Sequence, residues 1–228
     1  MTNQVLIYKG FERFWHWMQA ALIIFLATTG FEIHGSFTFL GYENAVTFHN
    51  VSAYALLALT AFAIFWHFTT GEWRNYIPTL KNMKAQIEYY LIGIFRNAPH
   101  PYRKNSLSKL NPLQRITYLG LKILVLPVMA ISGLLYMFYR YSQNGIISGI
   151  GLEGLTAPAA IHTAGAFALI AFLVIHVYLV STGETPASNL KAMLTGYEEV
   201  EEDAINHNGN GGVVLPDLSE KILEKEIA

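Results

Sequence analysis

The sequence predicts an all-α integral membrane protein, a four-helix bundle with both termini in the cytoplasm. Three observations predict it. Four apolar stretches, at about 15–33, 46–68, 116–139 and 159–182, are each long enough to cross a hydrocarbon layer of about 30 Å. The composition is membrane-like, with 53% hydrophobic and only 14% charged residues and a mean hydropathy of +0.32. Lysine and arginine crowd into one connection, which fixes an orientation. Residues 1–196 are read as one membrane domain and 197–228 as an acidic, flexible tail.

A polar lead-in, 1–14, carries Lys9 and Arg13 and lacks a signal-peptide pattern. Trp15 and Trp17 open the first span as an interfacial aromatic belt, with His16 between them. The 34–45 loop has Glu43 and no Lys or Arg. The second span carries His49 near its start and His67 near its end.

The 71–115 connection is strongly basic, with eight Lys and Arg residues against Glu72 and Glu88, so it is placed in the cytoplasm. Within it, KNMKAQIEYYLIGIF suits an amphipathic helix in the headgroup layer or an ordinary loop helix. NAPHPY is a proline-punctuated turn with a solvated His100. Pro127 is expected to kink the third span. A Gly-rich loop, 140–158, holds Arg140 at the membrane edge. The tail contains the linker NHNGNGG, with a solvated His207, and a short helix, LSEKILEKEIA, that suits docking. No internal sequence repeat is evident.

The net charge of −1 gives no nucleic-acid footprint. The absence of cysteine excludes disulfides, c-type haem attachment, iron–sulfur ligation and thiolate nucleophiles.

The chemistry sits in the histidines. Imidazole is costly to leave unpaired in lipid, so intramembrane histidines mark function. His162 and His176 lie fourteen residues apart on the fourth span. That is roughly 21 Å along the helix, with the side chains about 40° apart. Gly165, one turn beyond His162, would admit a flat, bulky group.

With alternating crossings, the outer level holds His49 and His162 and the inner level holds His16, His67 and His176. One imidazole from each of two facing helices at two depths fits two stacked b-type haems. Zinc fits less well, because it needs four ligands close together. Spacing alone pairs His176 with His67 as readily as with His16. The spare histidine would bond a haem propionate, take part in proton transfer or cap a helix end.

At these residues the chain resembles the four-helix dihaem cytochrome b subunits of respiratory complexes, the group of the formate dehydrogenase and nickel–iron hydrogenase membrane subunits. The resemblance runs from about Tyr8 to Gly196. It is carried by R-F-W-H-W (Arg13–Trp17), His49, N-P-L-Q-R (Asn111–Arg115), I-S-G-L-L-Y (Ile131–Tyr136) and H-x13-H-V-Y (His162–Tyr178). It implies an outer haem on His49 and His162 and an inner haem on His16 and His176. It further implies a menaquinone, or ubiquinone, near the inner haem beside Asn111 and Gln114. Pro112 and Leu113 depart from the small residues found there in the formate dehydrogenase subunit. Read from its own residues, Asn111 is a helix N-cap ahead of Pro112.

The expected protein is a membrane anchor in the bacterial cytoplasmic membrane. It would pass electrons between an extracytoplasmic iron–sulfur or multihaem cytochrome c subunit and the quinone pool. Membrane lipid is a further partner, and a homo-oligomer is compatible with the chain. The competing readings are a histidine-based metal or proton transporter and a haem anchor without a quinone site.

Overall fold

The computed structural model of the chain describes residues 2–96, 98, 109–142, 152–183 and 185–201. His100, His207, most of the Gly-rich loop and the docking helix of the tail lie outside the described residues. In chain order the elements are β1 (Thr2–Leu6), α1 (Gly10–Ile33), α2 (Tyr42–Thr70), α3 (Met83–Leu91), α4 (Pro112–Gly120), α5 (Leu126–Ser142), α6 (Thr156–Val180), α7 (Ser188–Thr195) and β2 (Tyr197–Glu201). The four membrane-length helices are α1, α2, the continuous Pro112–Phe138 helix of α4 and α5, and α6. The 24 residues of α1 run about 36 Å, more than the hydrocarbon layer needs.

The helices start earlier than hydropathy alone predicts, because polar groups close their ends. Helix α1 begins at Gly10, where the Glu12 carboxylate accepts the Lys9 backbone N–H at 2.7 Å. At its far end the buried Glu32 Oε1 accepts three backbone N–H groups, from Phe39, Leu40 and Gly41, at 2.7, 2.7 and 2.8 Å. One carboxylate thereby folds the loop back and delivers the chain to α2 through Gly41, whose φ of 81° suits glycine.

The third span contains a turn that hydropathy does not reveal. Residues Leu121–Val125 are wound as π-helix, and the Leu126 N–H reaches back to the Leu121 carbonyl. The cause sits just beyond: Pro127 has no N–H and its ring crowds the carbonyl four residues back, so a wider turn absorbs the misfit. The kink expected at Pro127 is met here by a widened turn rather than by a described bend.

One end of the bundle is closed by charge. Lys109 Nζ lies 2.8 Å from both Glu12 oxygens and 3.0 Å from Glu72 Oε2, and Lys9 Nζ is 2.6 Å from Glu72 Oε1. The Lys109, Glu12 and Glu72 side chains are only 6%, 13% and 11% exposed. They join the start of α1, the turn after α2 and the irregular segment leading into α4. Buried Lys109 and the half-exposed Lys9 together offset the two carboxylates, which is the condition for burying such a cluster.

Two short elements were not foreseen. β1 pairs antiparallel with β2, from Thr2 opposite Glu201 to Leu6 opposite Tyr197. The tail expected from residue 197 therefore begins as a strand. Gly196 makes the corner, with φ 92° and a carbonyl that accepts the Ile7 and Tyr8 N–H groups. A side chain there would meet the Tyr8 carbonyl at 2.7 Å, so only glycine fits. Arg13 donates to the Leu194 carbonyl and Trp17 to that of Met193, tying α7 to the start of α1. Both described ends of the chain thus lie at the same end of the bundle. The stretch expected to be amphipathic forms α3 and the turn Gly93–Arg96, burying Gln86 and exposing Leu91 and Phe95.

Burial pushes the Glu72 carboxyl up, but hydrogen bonds from Lys9 and Lys109 outweigh it and hold the pKa below the usual value. A lowered folded pKa stabilises above about pH 4.3 and loses that contribution as the pH falls through the folded value. Glu72→Gln is expected to destabilise the detergent-solubilised protein by about 1–3 kcal/mol at neutral pH. It is also expected to flatten the acid side of a thermal-melting pH profile.

Candidate functional site

Six histidines lie in or at the ends of the spans; His34 caps the end of α1, and the bundle sorts the other five. His49 on α2 faces His162 on α6, with ring centres 6.3 Å apart. His16 on α1 faces His176 on α6, with ring centres 6.1 Å apart. Two imidazoles on opposite sides of one metal, each with a metal–nitrogen distance of about 2.0 Å, have ring centres about 6 Å apart. Both separations match that arrangement. A direct hydrogen bond between two rings would bring them closer.

The rest of the donor set agrees with haem iron. Among the described residues no group of three or more His, Asp or Glu gathers. A metal held between either pair would take two donors from the protein, and a porphyrin would have to supply the rest. Helix α6 buries none of its residues, although its side chains reach α1, α2 and α4.

The His49–His162 pair, at the level expected to be outer, is held by hydroxyls. Thr29 Oγ1 lies 3.0 Å from His49 Nδ1, and Ser132 Oγ lies 3.1 Å from His162 Nδ1. Gly30 and Gly133 let the two rings lie against the neighbouring helix backbones. Gly165, expected to leave room for a flat group, is instead covered by the Met129 thioether.

The inner pair is framed by rings. His176 stacks on Phe172 at 5.6 Å and meets Tyr118 at 6.3 Å. His16 packs edge-on against Trp17, and its buried Nδ1 has no hydrogen-bond partner among the described residues.

His67 stands apart from the inner pair. Its Nδ1 is 2.6 Å from the Ala63 carbonyl, and its Nε2 faces Tyr76 Oη at 3.4 Å and Lys122 Nζ at 3.5 Å. Its ring neighbours are Trp15, Trp66 and Tyr76. Burial, with a smaller push from nearby Glu12, raises the Tyr76 hydroxyl pKa and keeps it a neutral donor. Lys122 sits on the π turn, 3.4 Å from the Tyr76 ring centre and 4.7 Å from that of Trp15.

Asn111 is the N-cap of α4. Its Oδ1 accepts the Gln114 N–H at 2.8 Å, Gln114 Oε1 accepts the Asn111 N–H at 3.0 Å, and Asn111 Nδ2 donates to Tyr90 Oη at 3.2 Å. Both ends of the Asn111 amide are engaged inside the protein.

Sequence reasoning missed Thr29, Ser132, Lys122 and His34, whose Nε2 lies 3.3 Å from Thr163 Oγ1. For Lys122 a signal existed: a lone cation inside an apolar run, a few residues before a proline.

Four apolar helices that bring imidazoles together in facing pairs at two depths have the architecture of a membrane cytochrome. The chain belongs to the prokaryotic cytochrome b561 family, whose profile matches residues 7–196. It is a multi-pass protein of the bacterial inner membrane, a haem-binding electron carrier of b type. It is similar to the Escherichia coli (strain K12) protein named "Putative cytochrome YdhU", with 29% identity over 202 residues covering 86% of this chain and 75% of that one. No solved structure matches the chain.

An alanine Cβ at Gly133 would sit 3.0 Å from His162 Cε1, whereas one at Gly30 would sit 3.4 Å from His49 Cε1. Gly133→Ala is therefore expected to displace its histidine and reduce bound haem per chain. Gly30→Ala is expected to stay near the unaltered protein, as read by visible absorbance against protein mass.

Proposed function

We propose that the chain is the membrane-anchoring electron-transfer subunit of a bacterial respiratory oxidoreductase complex. His49 and His162 hold an outer b haem, and His16 and His176 hold an inner one. The observation that carries the reading is the pair of imidazole separations, 6.3 and 6.1 Å, one at each depth. When bound, each haem supplies a one-electron ferric–ferrous couple.

The residues supply position and insulation. Helix α6 carries one member of each pair and spaces the two sites by roughly 21 Å along its axis. The apolar exterior keeps the sites in a low-dielectric layer. The basic 71–115 connection faces the cytoplasm, by the lysine and arginine bias, together with both ends of the chain. The His49–His162 end then faces an extracytoplasmic redox subunit, an iron–sulfur protein or a multihaem cytochrome c.

The inner end meets the quinone pool, menaquinone or ubiquinone. There Asn111 serves by capping α4. The donor offered to a quinone carbonyl is the Gln114 amide nitrogen, which takes no part in that cap. His67, Tyr76 and Lys122 form a polar cluster of their own, suited to exchanging protons with the cytoplasm. A second reading, a haem anchor without a quinone site, draws support from the engaged amide of Asn111. A quinone analogue that alters haem reoxidation favours the first; indifference to it favours the second.

A pyridine haemochrome assay on the purified chain is expected to count two b haems per polypeptide. His162→Ala is expected to leave one and His67→Ala to leave both. Retention of two haems in His162→Ala contradicts the outer pair. Loss of one in His67→Ala contradicts the inner assignment.

A further inference from the structure

The two outer histidines are served by the same local device on two different helices. On α1 the segment runs Phe25-Leu26-Ala27-Thr28-Thr29-Gly30, and on α5 it runs Val128-Met129-Ala130-Ile131-Ser132-Gly133. Both read A-x-[S/T]-G.

In each, the hydroxyl donates back to the carbonyl four residues earlier: Thr29 to Phe25 at 2.9 Å and Ser132 to Val128 at 2.6 Å. The carbonyl three residues earlier lies within 3.2 Å of the same hydroxyl. The glycine after the hydroxyl lies against the facing histidine ring, with room for an added Cβ at only 3.0 Å from His162 Cε1 at Gly133 and at 3.4 Å from His49 Cε1 at Gly30. The hairpin α1–α2 thus repeats in the hairpin α5–α6, although the chain shows no repeat at the level of whole segments.

The hydroxyl has a single proton, and the helix carbonyl takes it. What it presents to the imidazole at 3.0 or 3.1 Å is a lone pair. The nitrogen facing it, Nδ1, must therefore carry the ring proton, which leaves the Nε2 lone pair free. Among the described residues, neither ring nitrogen of His16 or His176 has such an acceptor, and the His16 Nδ1 is buried without any partner.

We infer that the two A-x-[S/T]-G segments are positioning cradles that fix the outer histidines in the Nδ1–H form and make the outer centre the lower-potential one. The inference rests on the haem reading above. An acceptor on the far ring nitrogen makes imidazole a more basic metal ligand. A more basic ligand favours the oxidised iron. The outer site has this push from both sides and the inner site, among the described residues, has none, so at equilibrium an electron shared between them resides on the inner pair.

The test is a potentiometric titration of the purified, haem-loaded full chain, following the b-haem absorbance band. His162→Ala identifies the outer component by its loss. Thr29→Ala and Ser132→Ala are each expected to keep both haems and to raise the lower midpoint. The rise expected is up to tenfold in the reduction equilibrium, about 59 mV for one electron. Thr29→Ser and Ser132→Thr, which restore the hydroxyl, are expected to restore the midpoint. Ser132→Cys, a weaker acceptor of similar size, gives the same reading in smaller measure where the alanine variant loads haem poorly. Two haems with unmoved midpoints in these variants, or movement of the higher component alone, would overturn the cradle inference and leave the haem reading intact. A well-folded unaltered chain without haem would instead overturn the reading on which it rests.

Discussion

Imidazole rings carried into the hydrocarbon layer need partners for two nitrogens each, and the arrangement of this bundle follows from how that need is met. Helix α6 brings His162 to one depth and His176 to another, and the facing helices answer with His49 and His16. A pair held with centres about 6 Å apart is too far for a ring-to-ring hydrogen bond and suited to a metal between them. The remaining nitrogens are treated differently at the two levels. Hydroxyls anchor the outer rings, while aromatic faces crowd the inner ones.

The ends of the spans are set by charge and by single oxygen atoms. Glu32 gathers three backbone N–H groups and so dictates how α1 turns into α2. Lys109 bridges two carboxylates from two different parts of the chain, and Lys9 completes the neutral cluster. These contacts position the start of α1, and with it His16, against α6. The π turn before Pro127 has a comparable effect inside the third span, where it carries Lys122 into the aromatic cage beside His67.

Much of this was legible in the sequence. Hydropathy located four spans because lipid demands long apolar runs, and the fourteen-residue offset from His162 to His176 gave the two depths. Spacing could not choose between His16 and His67, since both lie at the inner level. In the structure His16 faces His176, and the His67 ring packs among Trp15, Trp66, Tyr76 and Lys122. The hydroxyl cradles were hidden because Thr29 and Ser132 look like ordinary helix serines and threonines, satisfied by their own backbone. Their role depends on which ring another helix brings within 3 Å. The β1–β2 ribbon was hidden for a similar reason. Five-residue strands from opposite ends of the chain carry no local signal of pairing, and the Gly196 corner is meaningful only once Tyr8 lies against it.

The most direct test of paired ligation at two depths is low-temperature electron paramagnetic resonance of the fully oxidised, purified chain. Iron held between two imidazoles is low-spin. The ring planes cross at 70° in the outer pair and 50° in the inner pair, so two distinct low-spin ferric signals of equal weight are expected. A single low-spin species, or a high-spin signal accounting for either centre, would contradict the account.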